Sequence, residues 1–332
     1  MSSGPKKQSE PSRKPKLHRG RQADWPTEIS PKGWLDIGWR VFRRIGENRL
    51  MLIAAGVTFY LLLAIFPAIT AFVSLFGVLA EPSAIGNQLS TLEGIVPAGG
   101  LQIVEEQLEK LAAQDEQALG IGLIVALLVT FWSANNGVKT LFEALNIANQ
   151  ENEKRSFVRL NLIAFTFTLG AMLLATAMIF VVGIIPALLG LLNLGSGSEA
   201  IIAWLRWPIL LIVAGICIAL LYRYGPSREP AKWRWVTWGS ALATLVWIAA
   251  SAGFSFYLQN FADYNATYGS LGAIIGFMFW VWISSIILIV GAALNAEMEH
   301  QTRKDSTVGE PKPMGERGAV VADKLGPTYA DR

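Results

Sequence analysis

Six long blocks of apolar sequence, almost free of Asp, Glu, Lys and Arg, constrain this chain more than any other feature. They run approximately over 50–80, 120–138, 160–192, 201–221, 236–258 and 271–296. A helix needs about 20 predominantly apolar residues to cross the hydrocarbon of a bilayer, and it must satisfy its own backbone there because lipid offers no partners. A soluble core of similar size would interleave polar residues at helix or strand period, and these blocks do not. Composition agrees, with 52% hydrophobic and 16% charged residues against about 45–50% and about 25% in ordinary soluble domains. The expected fold is therefore all-α, a polytopic integral membrane protein whose six-transmembrane-helix bundle occupies 31–300. The flanks 1–30 and 301–332 carry the Ser, Pro, Lys and Gly bias of disordered tails.

Orientation follows from the basic residues between blocks. Residues 1–49, 149–159, 222–235 and 298–332 hold twenty-five Lys and Arg, whereas 81–119, 193–200 and 259–270 hold one, Lys110. Under the positive-inside rule both termini are expected in the cytoplasm of a bacterium, with the bundle in its inner (plasma) membrane. Residues 1–33 contain no apolar stretch before a cleavage site, so the first block is expected to act as the insertion signal. Two amphipathic stretches flank the spans. In one, Trp34, Ile37, Val41 and Ile45 recur at helical spacing with Arg40, Arg43 and Arg44 on other faces, as in a helix resting on the anionic headgroups of the cytoplasmic leaflet. In the other, Leu101, Val104, Leu108 and Leu111 alternate with Glu105, Glu106 and Glu109 in an expected outer helix.

The same inventory removes most chemistry. Cys217 is the single cysteine, and the two histidines, His18 and His300, lie in opposite flanks. No metal site or cofactor is expected from such a set. The sequence holds no HExxH, GxxxxGK[ST], GxSxG or dinucleotide GxGxxG. No enzyme is expected. A formal net charge of +3 is too small to point to nucleic acid, so the expected partners are membrane lipids, with self-association into a homo-oligomer left open.

Polar residues in or beside spans are the informative ones, because hydrocarbon penalises them unless they are paired or line a wet cavity. After the second block come Ser133, Asn135, Asn136, Lys139, Glu143 and Asn146. Ser133, Asn136, Lys139 and Glu143 share a helix face, and Lys139 with Glu143 forms an i,i+4 pair. They read either as the cytoplasmic mouth of a polar pathway or as a helix leaving the membrane and ion-pairing at its surface. Before the sixth block come Asn260, Asp263, Tyr264, Asn265, Tyr268 and Ser270, an outer cluster suited to hydrogen-bonding phosphate or sugar. Pro67 and Pro186 sit inside blocks as candidate kinks, and Gly272 with Gly276 forms a small-xxx-small packing pair. Asn295 and Glu297 close the last span, either as a proton relay or as an interfacial helix end.

These pieces also resemble a known family. The stretches Phe254-Ser255-Phe256-Tyr257-Leu258, Tyr264-Asn265-Ala266-Thr267-Tyr268-Gly269-Ser270-Leu271-Gly272 and Gly291-Ala292-Ala293-Leu294-Asn295-Ala296-Glu297 look like the signature of the YihY/BrkB family of bacterial inner-membrane proteins. Thr58-Phe59-Tyr60 with Phe66-Pro67, Trp132-Ser133 with Ala144-Leu145-Asn146, and Tyr222-Arg223-Tyr224 with Trp233-Arg234-Trp235 fit it in order. Two positions depart from the family pattern: Asn149, where many relatives have an aromatic, and Ala293, where they usually have Glu. The resemblance implies a six-span bundle without an agreed activity, an old label as ribonuclease BN that looks misassigned, and links to serum resistance and envelope lipid phenotypes. The function expected is transport or flippase-like movement of a lipid or anionic amphiphile in envelope homeostasis. The alternative is a non-transporting scaffold that organises envelope proteins or lipids.

Overall fold

The computed structural model describes residues 19–79, 116–179, 196–260 and 271–331. Among them are eight α-helices and one isolated antiparallel bridge, between Ala231 and Thr307. In chain order they are α1 (Pro31–Glu47), α2 (Leu50–Leu79), α3 (Glu116–Ala148), α4 (Phe157–Ile179), α5 (Ser196–Tyr224), α6 (Trp233–Asn260), α7 (Leu271–Glu299) and α8 (Val320–Asp323). The protein is all-α as expected. Three stretches, Phe157–Leu174, Trp233–Leu258 and Ile274–Glu299, are long and apolar enough to cross a membrane, and α1 with Leu50–Ile65 forms a fourth that is bent by 62°.

The six long helices are apolar on nearly every side, and the outward faces carry Ile121, Ile124, Leu128, Phe165, Leu169, Ile212, Leu242 and Leu245 in the open. Water would not tolerate such a belt, and lipid does. Hydroxyls inside the spans are silenced locally: Thr58, Thr130, Thr168, Thr244 and Ser285 each donate to the carbonyl one turn back in their own helix. Between helices, single hydrogen bonds and small residues make the contacts, as expected where apolar burial gives no advantage over lipid. Trp247 and Trp280 donate to Ser284 and Ser251 across α6 and α7, at 2.9 and 3.2 Å. Asn295 on α7 accepts from the Gly239 backbone N–H at 2.9 Å and donates to the Val236 carbonyl at 3.2 Å. A Cβ at Gly239 would collide with that amide.

Pro67 lies half-buried inside α2 without ending it, and Pro186 lies outside the described residues. Pro208, unremarked in the sequence, is the corresponding residue inside α5. Gly272 and Gly276 are buried, and a Cβ on Gly276 would rest 3.8 Å from Leu258 of α6, an ordinary contact. The expected acidic outer helix around Leu101–Leu111 lies outside the described residues.

The end of the bundle that carries both flanks differs from the sequence expectation in two respects. Helix α1 is capped by Ser30, whose hydroxyl accepts from the Gly33 N–H at 3.3 Å, with Pro31 at its first position. Its buried face contains Asp36, Arg40 and Arg44 beside Ile37 and Val41. Two of the three arginines assigned to a leaflet are thus inside the protein, whereas Leu35 and Phe42 point outward. The reason is Glu297, fully buried at the end of α7, which ion-pairs with the guanidinium of Arg40 and, at 2.5 Å, with that of Arg44. Arg40 also donates to the carbonyls of Glu297 and Pro327 and to Gln301, and Arg44 donates to the Ala148 carbonyl at the end of α3. Buried charge of this kind persists only when paired and hydrogen-bonded.

The second correction concerns the flanks. Residues 301–331, expected as a solvated tail, pack against the bundle, with Ala319, Val321 and Ala322 buried. Lys232 and Val308 exchange backbone hydrogen bonds with Ser306 and Pro230, and Gly326 donates to the His300 carbonyl. Arg317 donates to the carbonyls of Arg303, Lys304, Lys312 and Ala322. Residues 19–30 join this layer through Arg19 to Asp36, Gln301 to the Arg19 carbonyl and Thr302 to the Ala23 carbonyl. Composition misled here because the segment is held by polar contacts to backbone and needs few apolar residues. Residues 1–18 lie outside the described residues.

Two outcomes follow from this layer. Glu297→Gln leaves two buried guanidiniums without a counter-charge and lowers stability by about 3–5 kcal/mol, read as a fall in the unfolding midpoint of the detergent-solubilised protein. Gly239→Ala costs about 1–3 kcal/mol by the same measurement, because Asn295 must give up its place between the two helices.

Candidate functional site

Helix α3 has 33 residues, about 50 Å of rise, and so outlasts the roughly 30 Å of hydrocarbon. Near its carboxy-terminal end the α3 face of Asn136, Lys139, Thr140, Glu143, Asn146 and Ile147 opens onto a cleft of about 430 Å³. Tyr60 from α2, Leu160 from α4 and Glu151, Asn152 and Glu153 from the connecting loop complete it. Close packing of α2 on α3 forms one wall, where a Cβ on the buried Gly137 would sit 3.5 Å from Tyr60 and Leu61.

Four of the six residues singled out after the second block line this cleft: Asn136, Lys139, Glu143 and Asn146. Ser133 lies a turn deeper, 1% exposed, with its hydroxyl lacking a hydrogen-bond partner among the described residues. Asn135 turns toward α4, donating to Asn161 Oδ1 at 3.4 Å, while its own Oδ1 is buried without a partner among the described residues. Set against the silenced hydroxyls elsewhere in the spans, these two groups are exceptions. The Lys139–Glu143 ion pair does not form: Lys139 Nζ donates instead to Asn161 Oδ1 at 3.1 Å. Asn161 is held for that role by its own donation to the Phe157 carbonyl at 2.8 Å.

The loop acids are already engaged. Glu151 accepts from Lys154 and from the Val320 N–H, both at 2.7 Å. Glu153 accepts from Arg155 Nε and Nη2, both at 2.7 Å, from the Arg155 N–H and from Asn146 Nδ2. Partial burial pushes the Glu153 carboxyl up, but the hydrogen bonds from Arg155 and Asn146 outweigh it and bring it down to about 2. Asn146 also accepts from the Ser227 N–H at 2.6 Å, so it ties α3 to the loop after α5 as well as lining the cleft.

The other nominated residues separate from this site. Asn295 and Glu297 are taken up by packing, the first against α6 and the second against Arg40 and Arg44. Their neighbour Glu299 accepts both guanidinium nitrogens of Arg228 and the Ser306 hydroxyl. In the outer cluster, Asn260 ends α6 with its side chain outside the described set, and Asp263, Tyr264, Asn265, Tyr268 and Ser270 lie outside the described residues. Sequence reasoning missed Tyr60, Asn152 and Asn161. Asn161 did carry a signal, as the only amide in the 160–192 block. Among the described residues no group of three His, Cys, Asp or Glu is placed to hold a metal ion.

Residues 41–315, most of the chain, match the family described as Virulence factor BrkB. The chain belongs to the BrkB family. Among its relatives is the ribonuclease-like protein YfkH of Bacillus subtilis, 32% identical over 76% of this chain and 90% of that one. A UPF0761 membrane protein of Photobacterium profundum is 25% identical over 81% of this chain and 82% of its own. Another, from Neisseria meningitidis serogroup B, is 25% identical over 79% of this chain and 63% of its own. No solved structure matches. Membership in BrkB and the apolar helices together make this a membrane protein. Two departures from the expected family pattern now have surroundings: Asn149 is buried and accepts from Arg228, and Ala293 is fully buried in the core cluster that also holds Phe142, Leu145, Tyr222 and Ala243.

The Glu153 carboxyl generates a pH prediction. Its folded value lies below the ordinary 4.5, so its contribution is complete above that value and is lost as pH falls toward about 2. Comparing wild type with Glu153→Gln in thermal unfolding, the wild-type advantage is present at neutral pH and shrinks through this acid window. A gap that stays constant with pH would assign the effect to something other than the ionised carboxylate.

Proposed function

We propose that this BrkB-family chain is a six-span inner-membrane translocator of a lipid or anionic amphiphile, with both termini in the cytoplasm and no catalytic activity. The observation that carries this reading is the cleft on α3. It is a polar cavity of about 430 Å³ at the margin of an apolar bundle, with unpartnered polar groups at Ser133 and Asn135 close beneath it. Hydrocarbon penalises such groups, and a headgroup or water entering from the cleft relieves the cost. The scaffold reading expects the polar residues to pack against one another with no cavity, and the cleft favours translocation over it.

On this reading Asn136 and Lys139 meet the headgroup on the cytoplasmic side, Tyr264, Asn265 and Tyr268 meet it outside, and Pro67 and Pro186 allow the helices to rearrange. The charge asymmetry of the connecting segments supports the orientation. The ribonuclease-like name of the Bacillus relative belongs to that protein.

The test is leaflet exchange of labelled phosphatidylglycerol in proteoliposomes, with and without a proton gradient. Wild type exchanges lipid faster than protein-free vesicles. Asn136→Ala slows exchange about fivefold, the effect of one lost hydrogen bond of about 1 kcal/mol, and Tyr264→Phe/Asn265→Ala slows it comparably. Exchange no faster than in empty vesicles under both conditions sinks the reading for phospholipids.

A further inference from the structure

Lys139 and Glu143 stand one turn apart on the same helix and do not pair. Residues at this spacing are within reach of an i,i+4 contact. Here Asn161, anchored on the Phe157 carbonyl, draws the ammonium toward α4. Glu143 remains exposed in the cleft with no partner among the described residues. Glu151 and Glu153 are occupied by Lys154, the Val320 N–H, Arg155 and Asn146. The cleft therefore presents one available cation and one available carboxylate, in fixed order. The cation is the deeper of the two, and the carboxylate lies about 6 Å nearer the basic end along α3. Around them, the Tyr60 hydroxyl and the Asn136 amide are also without hydrogen bonds among the described residues.

We infer that the Lys139–Glu143 cleft binds a zwitterionic headgroup in which a phosphate is followed by a primary ammonium, as in a phosphoethanolamine lipid. The order of charges matches the order of groups. With acyl chains in the hydrocarbon, the phosphate is the deeper group and meets Lys139, while the ammonium lies farther out and meets Glu143. The two-carbon bridge between them spans a distance close to one helical turn. A quaternary ammonium fits less well, since it donates no hydrogen bond and favours an aromatic cage, whereas the cleft offers one aromatic ring, Tyr60. Tyr60 and Asn136 supply donors to the remaining phosphate oxygens. The inference rests on the translocator reading for its biological sense, but the binding it states is an equilibrium property.

The experiment measures binding of short-chain phosphatidylethanolamine, phosphatidylcholine and phosphatidylglycerol, and of free phosphoethanolamine, to the full-length protein in detergent by microscale thermophoresis. Phosphatidylethanolamine binds about tenfold more tightly than the other two lipids, the effect expected of one charge-assisted hydrogen bond. Glu143→Gln abolishes this preference by weakening phosphatidylethanolamine binding about tenfold. Lys139→Gln weakens both lipids. Glu143→Lys, a substitution at an exposed position, turns the preference toward phosphatidylglycerol and guards against loss of fold in one variant. Free phosphoethanolamine that binds as tightly as the lipid makes a soluble metabolite the ligand and overturns the lipid assignment. Equal binding of the three lipids, or a preference unmoved by Glu143→Gln, overturns the proposal. The two readings fail separately: a Glu143-dependent preference without leaflet exchange removes transport and leaves the site, and leaflet exchange without a Glu143-dependent binding preference removes the site and leaves transport.

Discussion

A single buried carboxylate organises the basic end of this protein. Glu297 terminates α7, the helix that touches α1, α2, α3 and α6, and it is surrounded by Arg40 and Arg44 from α1, with His300 Nδ1 3.4 Å away. Arg44 continues to the Ala148 carbonyl and Arg40 to the Pro327 carbonyl, so the same charge reaches the end of α3 and the carboxy-terminal segment. Removing one member leaves the others buried without their counter-charge. The cleft depends on this arrangement because its α3 wall ends where Arg44 holds Ala148.

Within the lipid a different physics operates. Helices there gain little from burying apolar surface, since the surroundings are equally apolar. They are held by small residues that admit close approach and by isolated hydrogen bonds, such as Asn295 against the Gly239 turn and Tyr222 donating to the Leu288 carbonyl at 2.7 Å. The cleft lies where the two regimes meet. Above it, charges are paired in an ordered polar layer; below it, hydroxyls are satisfied inside their own helices. The groups left over, Ser133, Asn135, Lys139 and Glu143, are those that neither regime absorbs.

What was legible beforehand follows the same division. Apolar blocks of sufficient length announce helices whatever their neighbours do, so the all-α fold could be read directly, and family membership could be recognised from motifs in order. The face of Asn136, Lys139, Glu143 and Asn146 was legible because helical spacing alone places these residues together. The state of each member was not. Whether Lys139 meets Glu143 or Asn161 depends on where α4 comes to rest, and no local pattern carries that information. The carboxy-terminal segment was misread for a related reason: its Ser, Pro, Lys and Gly content describes the cost of ordering it in water, and says nothing of the backbone carbonyls that Arg317 would find.

The sequence by itself determined that this chain partitions into helices suited to lipid and that basic residues collect at one end, because hydrophobicity and charge act through the solvent and need no partner. Tertiary structure decided which charges were spent inside the protein. Arg40 and Arg44 read as surface residues until the end of α7 placed Glu297 between them, and Glu143 read as paired until Asn161 took Lys139 away. Pairing energies fall steeply with distance and depend on the local dielectric, so they are settled by a few ångströms of helix placement that only the assembled bundle supplies.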